Sequence, residues 1–320
     1  MPQCVSSDVY LFADDTKLSR DVSKSNEHLY LQNDLKRLEE WANTWLLRFN
    51  ADKCKTISIR GKSTKHIKYQ YSMGSDTTTH VLENVDSEKD IGVFIDSDLS
   101  FEKHIQEKIN KANKIMGIIR RTYVYLDIEN FLFLYKALVR PHLEYCSSVW
   151  HPYKEKDIDV IENVQRRATR QIPALKGLTY SERLAKIGLP TLAYRRDRGD
   201  MIETFKILNG HYDEAVSNFL IRDRQVRTRG HSQKLQKHFC RLDIRKFSFT
   251  NRIVAIWNSL PDYVVIAPSV NSFEQRLDKF WTTQGIKYNY KEKLHTVGAP
   301  GLMYYQPDLD IEAERPAPST

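Results

Sequence analysis

The spacing of apolar and polar positions divides the chain into a mixed first hundred residues and a helical remainder. "VYLF" (9–12) is a short apolar run, "ADDTK" (13–17) a polar break and "LSRDV" (18–22) a return, which together predict a β-hairpin. The break lacks an Asn-Gly signal, so the turn type stays open. From Asn26 to Phe49 the period changes. Leu31, Leu35, Leu38, Ala42, Trp45 and Phe49 recur at steps of four and three, the stripe of an amphipathic helix, with Ser25 or Asn26 placed to cap it. "KTISIR" (55–60), the cleanly alternating "HIKYQYSM" (66–73) and "DIGVFI" (90–95) then read as strands, Gly92 marking a place where another backbone can come close.

Beyond Leu99 helical spacing dominates. Phe101, Ile105, Ile109, Ala112, Ile115 or Met116, and Ile119 form one apolar stripe. "IENFLFLYKALVR" predicts a second helix, closed by Pro141. "DIDVIENVQRRATRQI" predicts a third, with Ile158, Ile161, Val164 and Ala168 inward and Arg166, Arg167 and Arg170 near its C-terminal end, where cations suit the helix dipole. Thr179 and Glu182 make a capping box for "YSERLAKIG", and "TLAYRRDRGDMIETFKILNG" is a fifth helix ending at Gly210. "RDRQVRTRGHSQ" (222–233) has no apolar period and reads as a basic loop; "RIVAIWNSLP" and "SFEQRLDKFW" are two short helices. The expected class is α+β. Residues 1–99 are the mixed part, 100–150 a helical part, 151–285 a basic helical part and 286–320 a disordered tail, Pro-rich and acidic at its end. The stretch from Pro141 to Pro152 is the expected boundary or structured bend, and no internal repeat is evident.

Composition narrows the function classes. The chain has 320 residues, 41% hydrophobic and 28% charged, ordinary values for a globular protein with a sizeable core. Its longest apolar runs are far shorter than a bilayer span, and its first residues lack a basic-then-apolar leader, so an intracellular protein without a membrane partner is expected. Four widely separated cysteines predict reduced thiols, no disulfide-linked partner and no cysteine-based zinc site. The net charge is +8 and uneven: residues 161–250 carry 19 Lys+Arg against 9 Asp+Glu. A basic segment on a near-neutral remainder points to a polyanion, and equally describes a well-solvated helical surface.

Asp14 and Asp15 sit side by side at the predicted turn. Neighbouring carboxylates resist joint ionisation unless a cation lies between them or both face water. Turn-borne acidic pairs suit two-metal phosphoryl chemistry, with oxygen ligands appropriate to Mg²⁺; surface turns are also rich in Asp for reasons unrelated to metals.

The residues around the pair carry a resemblance. "LFADDTKL" resembles the catalytic hairpin motif of reverse transcriptases from non-LTR retrotransposons, the LINE-like and Jockey-like elements. The likeness continues in register. "LKRLEEWANTWLLRFNADKCKTISI" resembles the following helix and strand, with Trp41, Trp45, Asn50, Lys53 and Cys54 at the family's positions. "EKDIGVFIDSDLSFEKHI" resembles the next hairpin, "LYKALVRPHLEYCSSVWHPY" and "VQRRATRQI" the thumb and beyond, and "YSERLAKIGLPTLAYRRDRGD" and "RIVAIWNSLPDYVV" the C-terminal region. The resemblance reaches roughly residue 282. It implies a remnant of polymerase palm over 1–99, a thumb over 100–150, and two-metal, RNA-directed DNA synthesis with Mg²⁺, an RNA template and a DNA primer or target.

Site residues implied by the resemblance are Asp14 and Asp15 as metal ligands, with Phe12 and Ala13 packed beneath them. Lys53 would lie near the incoming triphosphate, or is simply an exposed lysine at a strand start. Gly92 would sit in the hairpin that steadies the primer end, or is an ordinary strand glycine. Nucleic-acid contacts are expected from Arg166, Arg167, Arg170, Arg195, Arg196, Arg198, Arg222, Arg224, Arg227 and Arg229, with Phe239, Phe247 and Phe249 near the basic loops. In the family a further metal-binding aspartate, the fingers and a Gln-Gly motif precede the acidic hairpin. Only Asp8 is a carboxylate upstream of the pair here, so the chain is expected to be a truncated polymerase, inactive alone. The alternatives are an RNA- or DNA-binding remnant and a transposon-derived fragment without selected function. A nuclear location is implied by resemblance alone.

Overall fold

The computed structural model describes residues 4–59, 69–74, 79–123, 125–223 and 231–294. Residues 224–230 of the expected basic loop (222–233), the whole 60–68 stretch and the tail beyond 294 lie outside the described residues. The protein is α+β, and it divides into two compact units, 1–176 and 177–320. The division falls after Lys176, downstream of the 141–152 stretch.

The first unit opens with a hairpin, β1 (Asp8–Phe12) and β2 (Asp15–Ser19), followed by helix α1 (Glu27–Thr44). Short strands come next: β3 (Lys55–Thr56), β4 (Ser72–Met73), β5 (His80–Val81), β6 (Glu83–Asn84), β7 (Ser87–Asp90) and β8 (Val93–Asp96). They pair as separate two-stranded pieces, β1 with β2, β3 with β6 in parallel, β4 with β5, and β7 with β8. Leu31 and Leu35 of α1 pack with Phe49 against the buried Tyr71, Met73 and Leu82. Gln32 reinforces this docking: its amide donates to the Ser72 carbonyl at 2.8 Å and accepts from the Ser72 N–H at 2.9 Å. The predicted stripe departs at one end, because α1 stops at Thr44 and leaves Trp45 exposed. Asn26 is at the N-cap position with φ 69° and makes no side-chain cap bond.

The most constrained point in this half is Asp34, a carboxylate inside α1 that is 1% exposed. It accepts hydrogen bonds from Ser6 N–H (3.1 Å), Ser6 Oγ (3.0 Å), Ser7 N–H (2.8 Å) and Ser7 Oγ (2.6 Å). Arg20, the residue after β2, lies 3.7 Å from the same carboxylate and donates to Glu27 at 2.6 Å. Burial alone would raise the Asp34 pKa; the bonds from Ser7 and Ser6 outweigh it and hold the carboxyl below its usual value. The base of the hairpin is thereby fixed to α1.

The helical part begins with α2 (Glu102–Thr122), whose inward stripe of Ile105, Ile109, Ala112, Met116 and Ile119 matches the predicted period. Helix α3 (Ile128–Leu134) does not end at Pro141. A π turn over Tyr135–Val139 leads directly into α4 (Arg140–Glu144), so Phe131, Tyr135, Val139 and Leu143 bury one continuous face. The wide turn accommodates a proline ring that a regular helix would reject. Helices α5 (Ser147–Trp150) and α6 (Glu155–Thr169) complete the unit, with α2 packed on α4 and α6.

The second unit contains α7 (Tyr180–Ile187), with its Thr179–Glu182 capping box formed as expected, and α8 (Leu192–Leu208). Then follow α9 (Glu214–Ser217), α10 (Asp243–Lys246), α11 (Phe249–Asn258), α12 (Asp262–Val265) and α13 (Val270–Phe280). Phe205 stacks on Phe273 at 4.4 Å between centroids, and Trp257 lies 5.9 Å from the same ring. Residues 286–294 are part of this body, contrary to the expected tail boundary. Ile286 is buried, and the backbone carbonyls of Ile286 and Lys287 accept from Thr191 Oγ1 and N–H at 2.7 and 2.9 Å.

Two stability predictions follow from this packing. Replacing Asp34 with Ala strands the Ser6 and Ser7 donors, and urea denaturation should register a loss of about 2–4 kcal/mol, with faster amide exchange along β1. His104 on α2 is fully buried, accepts a hydrogen bond from the Phe94 N–H at 3.2 Å and lies 5.2 Å from Trp150. Burial, aided by Lys108, pushes its pKa down from 6.5 to about 4. The unfolded chain therefore binds the proton first. The contribution of His104 is complete above pH 6.5 and is lost as pH falls towards about 4, by up to about 3 kcal/mol. Denaturation midpoints compared with His104→Gln across that range should show the wild type losing the steeper share.

Candidate functional site

The acidic pair occupies the free end of the β1–β2 hairpin. Phe12 pairs with Asp15, so the turn is only two residues, Ala13 and Asp14, and Asp15 already begins β2. Ala13 has φ 52° and Asp14 does not share the positive sign, the φ pattern of a type II′ turn, which normally carries Gly at its first central position. Both carboxylates are exposed. Phe12 does not pack beneath them; it is 58% exposed, and Tyr10 and Leu11 are exposed as well. Among the described residues no third strand pairs with the hairpin, and apolar side chains on both of its faces are exposed.

The tip is positioned indirectly. The Ser6–Ser7–Asp34 bonds hold one end of the ladder, roughly 15–20 Å from the turn at the rise of an extended strand. Midway along β2, Lys17 forms an ion pair with Asp90 of β7 and lies 5.6 Å from the Tyr10 ring centroid. These tethers, which sequence spacing alone does not reveal, aim the two aspartates into solvent. Among the described residues no third His, Cys, Asp or Glu brings a ligand atom within 4.8 Å of theirs to form a group of three. Two exposed carboxylates fall short of the donor set that two Mg²⁺ ions require, so no catalytic step can be derived from them as they stand.

Lys53 ends a single 3₁₀ turn, Ala51–Lys53, just before β3, and is exposed. Gly92 is a turn residue and not a strand residue. Ile91 (φ 42°) and Gly92 (φ 82°) link β7 to β8 with the two positive φ values of a type I′ turn. Tyr145 closes over this turn: its hydroxyl donates to the Ile91 carbonyl at 3.0 Å, and a Cβ on residue 92 would stand 3.2 Å from the Tyr145 ring. Glycine is needed there both for its φ and for that approach.

The arginines separate into different environments. Arg166 is half-buried and donates to Asn163 at 2.9 Å, while Arg167 and Arg170 stand exposed at the C-terminal end of α6. On α8, Arg195 is half-buried and Arg196 is 1% exposed. Arg198 is held by Asp278 at 2.6 and 2.8 Å and by Glu274 at 3.2 Å, bonds that raise its pKa further. Arg222 donates to the Leu208 carbonyl at 2.7 Å. Arg224, Arg227 and Arg229 lie outside the described residues. All four cysteines are free thiols, and no described helix is long and apolar enough to cross a membrane.

Over 149 residues the chain is 26% identical to the RNA-directed DNA polymerase from mobile element jockey of Drosophila funebris, a stretch covering 44% of this chain and 15% of the polymerase. Over 126 residues it is 25% identical to an uncharacterized protein of Caenorhabditis elegans, covering 38% of this chain and 64% of that protein. The matched stretch is less than two thirds of either relative's length. No model of a known protein family matches the chain, and no solved structure matches it. The chain is thus distantly similar to a retrotransposon reverse transcriptase.

Proposed function

We propose that this chain derives from a non-LTR retrotransposon reverse transcriptase and binds nucleic acid, its acidic hairpin supplying part of a divalent-metal site that needs further carboxylates. The observation that carries the reading is the Asp14–Asp15 pair at a hairpin tip in a chain similar to the jockey polymerase. In this reading residues 1–99 correspond to palm, 100–150 to thumb, and the metal would be Mg²⁺. Lys53 would serve the incoming triphosphate and Gly92 the turn that steadies a primer end. The template would be RNA and the primer or target DNA. In this reading the chain alone does not extend a primer, because among the described residues no third ligand side chain joins its acidic pair.

Backbone phosphates are the expected contacts, reached first by the exposed Arg167 and Arg170 with Arg166 beside them. The experiment pairs two measurements on the full chain. Primer extension with Mg²⁺ or Mn²⁺ should give no template-dependent product; incorporation abolished by Asp14→Ala would instead establish a complete site. RNA binding should weaken steeply with salt, and Arg167→Gln with Arg170→Gln should reduce the log–log salt slope by about 2. Absence of salt-dependent binding by the wild type would overturn the reading.

A further inference from the structure

The second unit has an open cleft of about 630 Å³ on its own surface, lined by residues 219–221, 235–236, 238–242, 245, 250–251 and 254. A cleft of that size readily admits a nucleobase. Its chemistry is unusual in two respects. Phe239 is 89% exposed and Phe219 68% exposed, and Ile221 and Leu242 also show large apolar surfaces. No acidic residue lines the cleft, whereas Arg241 and Arg245 do, and neither guanidinium makes a hydrogen bond or ion pair among the described residues. Elsewhere in the same unit, arginines are engaged: Arg198 by Glu274 and Asp278, Arg252 by the buried Asp200 at 2.8 and 3.0 Å. Along 219–223 and 231–254 there are seven Lys/Arg against two Asp, so the cleft lies where positive charge is concentrated.

Resting on the nucleic-acid reading above, we infer that this cleft is a separate site for single-stranded nucleic acid, in which unstacked bases lie on Phe239 and Phe219 while Arg241 and Arg245 take the adjoining phosphates. An exposed phenyl ring flanked by uncommitted guanidinium groups matches a ligand that alternates flat apolar faces with negative charge. A duplex offers the charge but keeps its base faces stacked inside, so it forgoes the aromatic half of the cleft. The rings protrude from the surface instead of flooring a closed apolar groove, which favours stacking between bases over burial of a peptide side chain. The site requires neither the acidic hairpin nor a metal.

Fluorescence anisotropy of the full chain with labelled oligo-dT, and with a duplex of equal length, tests this. Phe219→Ala with Phe239→Ala should weaken oligo-dT binding by about fivefold or more at fixed salt, leaving duplex affinity and the salt slope as in the wild type. Because both rings are exposed, circular dichroism and the melting temperature should not change. Arg241→Gln with Arg245→Gln should lower the salt slope for oligo-dT. Wild-type oligo-dT affinity in the Phe pair, alongside weakened binding in the Arg167/Arg170 pair, would overturn the cleft and leave the phosphate reading standing. Failure of the wild type to bind any nucleic acid would overturn both. Capture of an acidic, aromatic peptide that is lost in the Phe pair, with oligo-dT unaffected, would reassign the cleft to a protein partner.

Discussion

The buried carboxylate of Asp34 determines where the acidic hairpin can be. A two-stranded ribbon is at best marginal in water, and β1–β2 has no third strand among the described residues to stabilise it. What holds it is a charge removed from water on one face of α1 and satisfied by four donors on the two residues that lead into β1. An unsatisfied carboxylate at that depth would be strongly unfavourable, so the segment entering the hairpin and the helix can be built only together. The Lys17–Asp90 pair then links the ribbon to the β7–β8 hairpin, but Lys17 is half exposed and its contribution is accordingly small. Placement comes from the buried end, and the tip inherits it.

That arrangement explains how two aspartates can be neighbours. Neither needs a cation to offset the other, because each is solvated and water screens the pair. The same exposure limits what they do unaided: a metal bound only by two flexible, hydrated carboxylates exchanges its geometry freely, whereas phosphoryl transfer needs fixed positions for two ions. Tyr10 and Phe12 on one face of the ribbon, and Leu11 on the other, are also left exposed.

Much of the helical architecture was legible from spacing. The α2 stripe, the inward face of α6 and the Thr179–Glu182 box depend on neighbours three and four residues away, which is the distance over which sequence speaks directly. The failures share the opposite property. Trp45 continues the apolar period of α1 yet stays exposed, since periodicity identifies a face without saying whether anything covers it. Pro141 passes through a helix because a π turn upstream makes room, and the Gly92 turn is closed over by Tyr145, more than fifty positions away, whose hydroxyl donates to the Ile91 carbonyl. The Asp34 clamp spans nearly thirty positions and gives no local signal, beyond an acid placed where an amphipathic helix should be apolar.

The arginines show why a charge count is a poor guide to a binding surface. By sequence Arg167, Arg196 and Arg198 look alike, each in a basic run on a helix. In the folded chain Arg198 spends its fork on two carboxylates of α13, Arg196 is enclosed, and Arg167 faces water. A guanidinium already held by carboxylates neutralises the field that would attract a phosphate, and recruiting it would mean breaking charge-assisted bonds first. Positive charge becomes a means of recognition only where the fold leaves it without an internal partner, and among the described residues the exposed Arg167 and Arg170 of α6 and the exposed Arg241 and Arg245 at the cleft fit that condition better than Arg196 and Arg198 do.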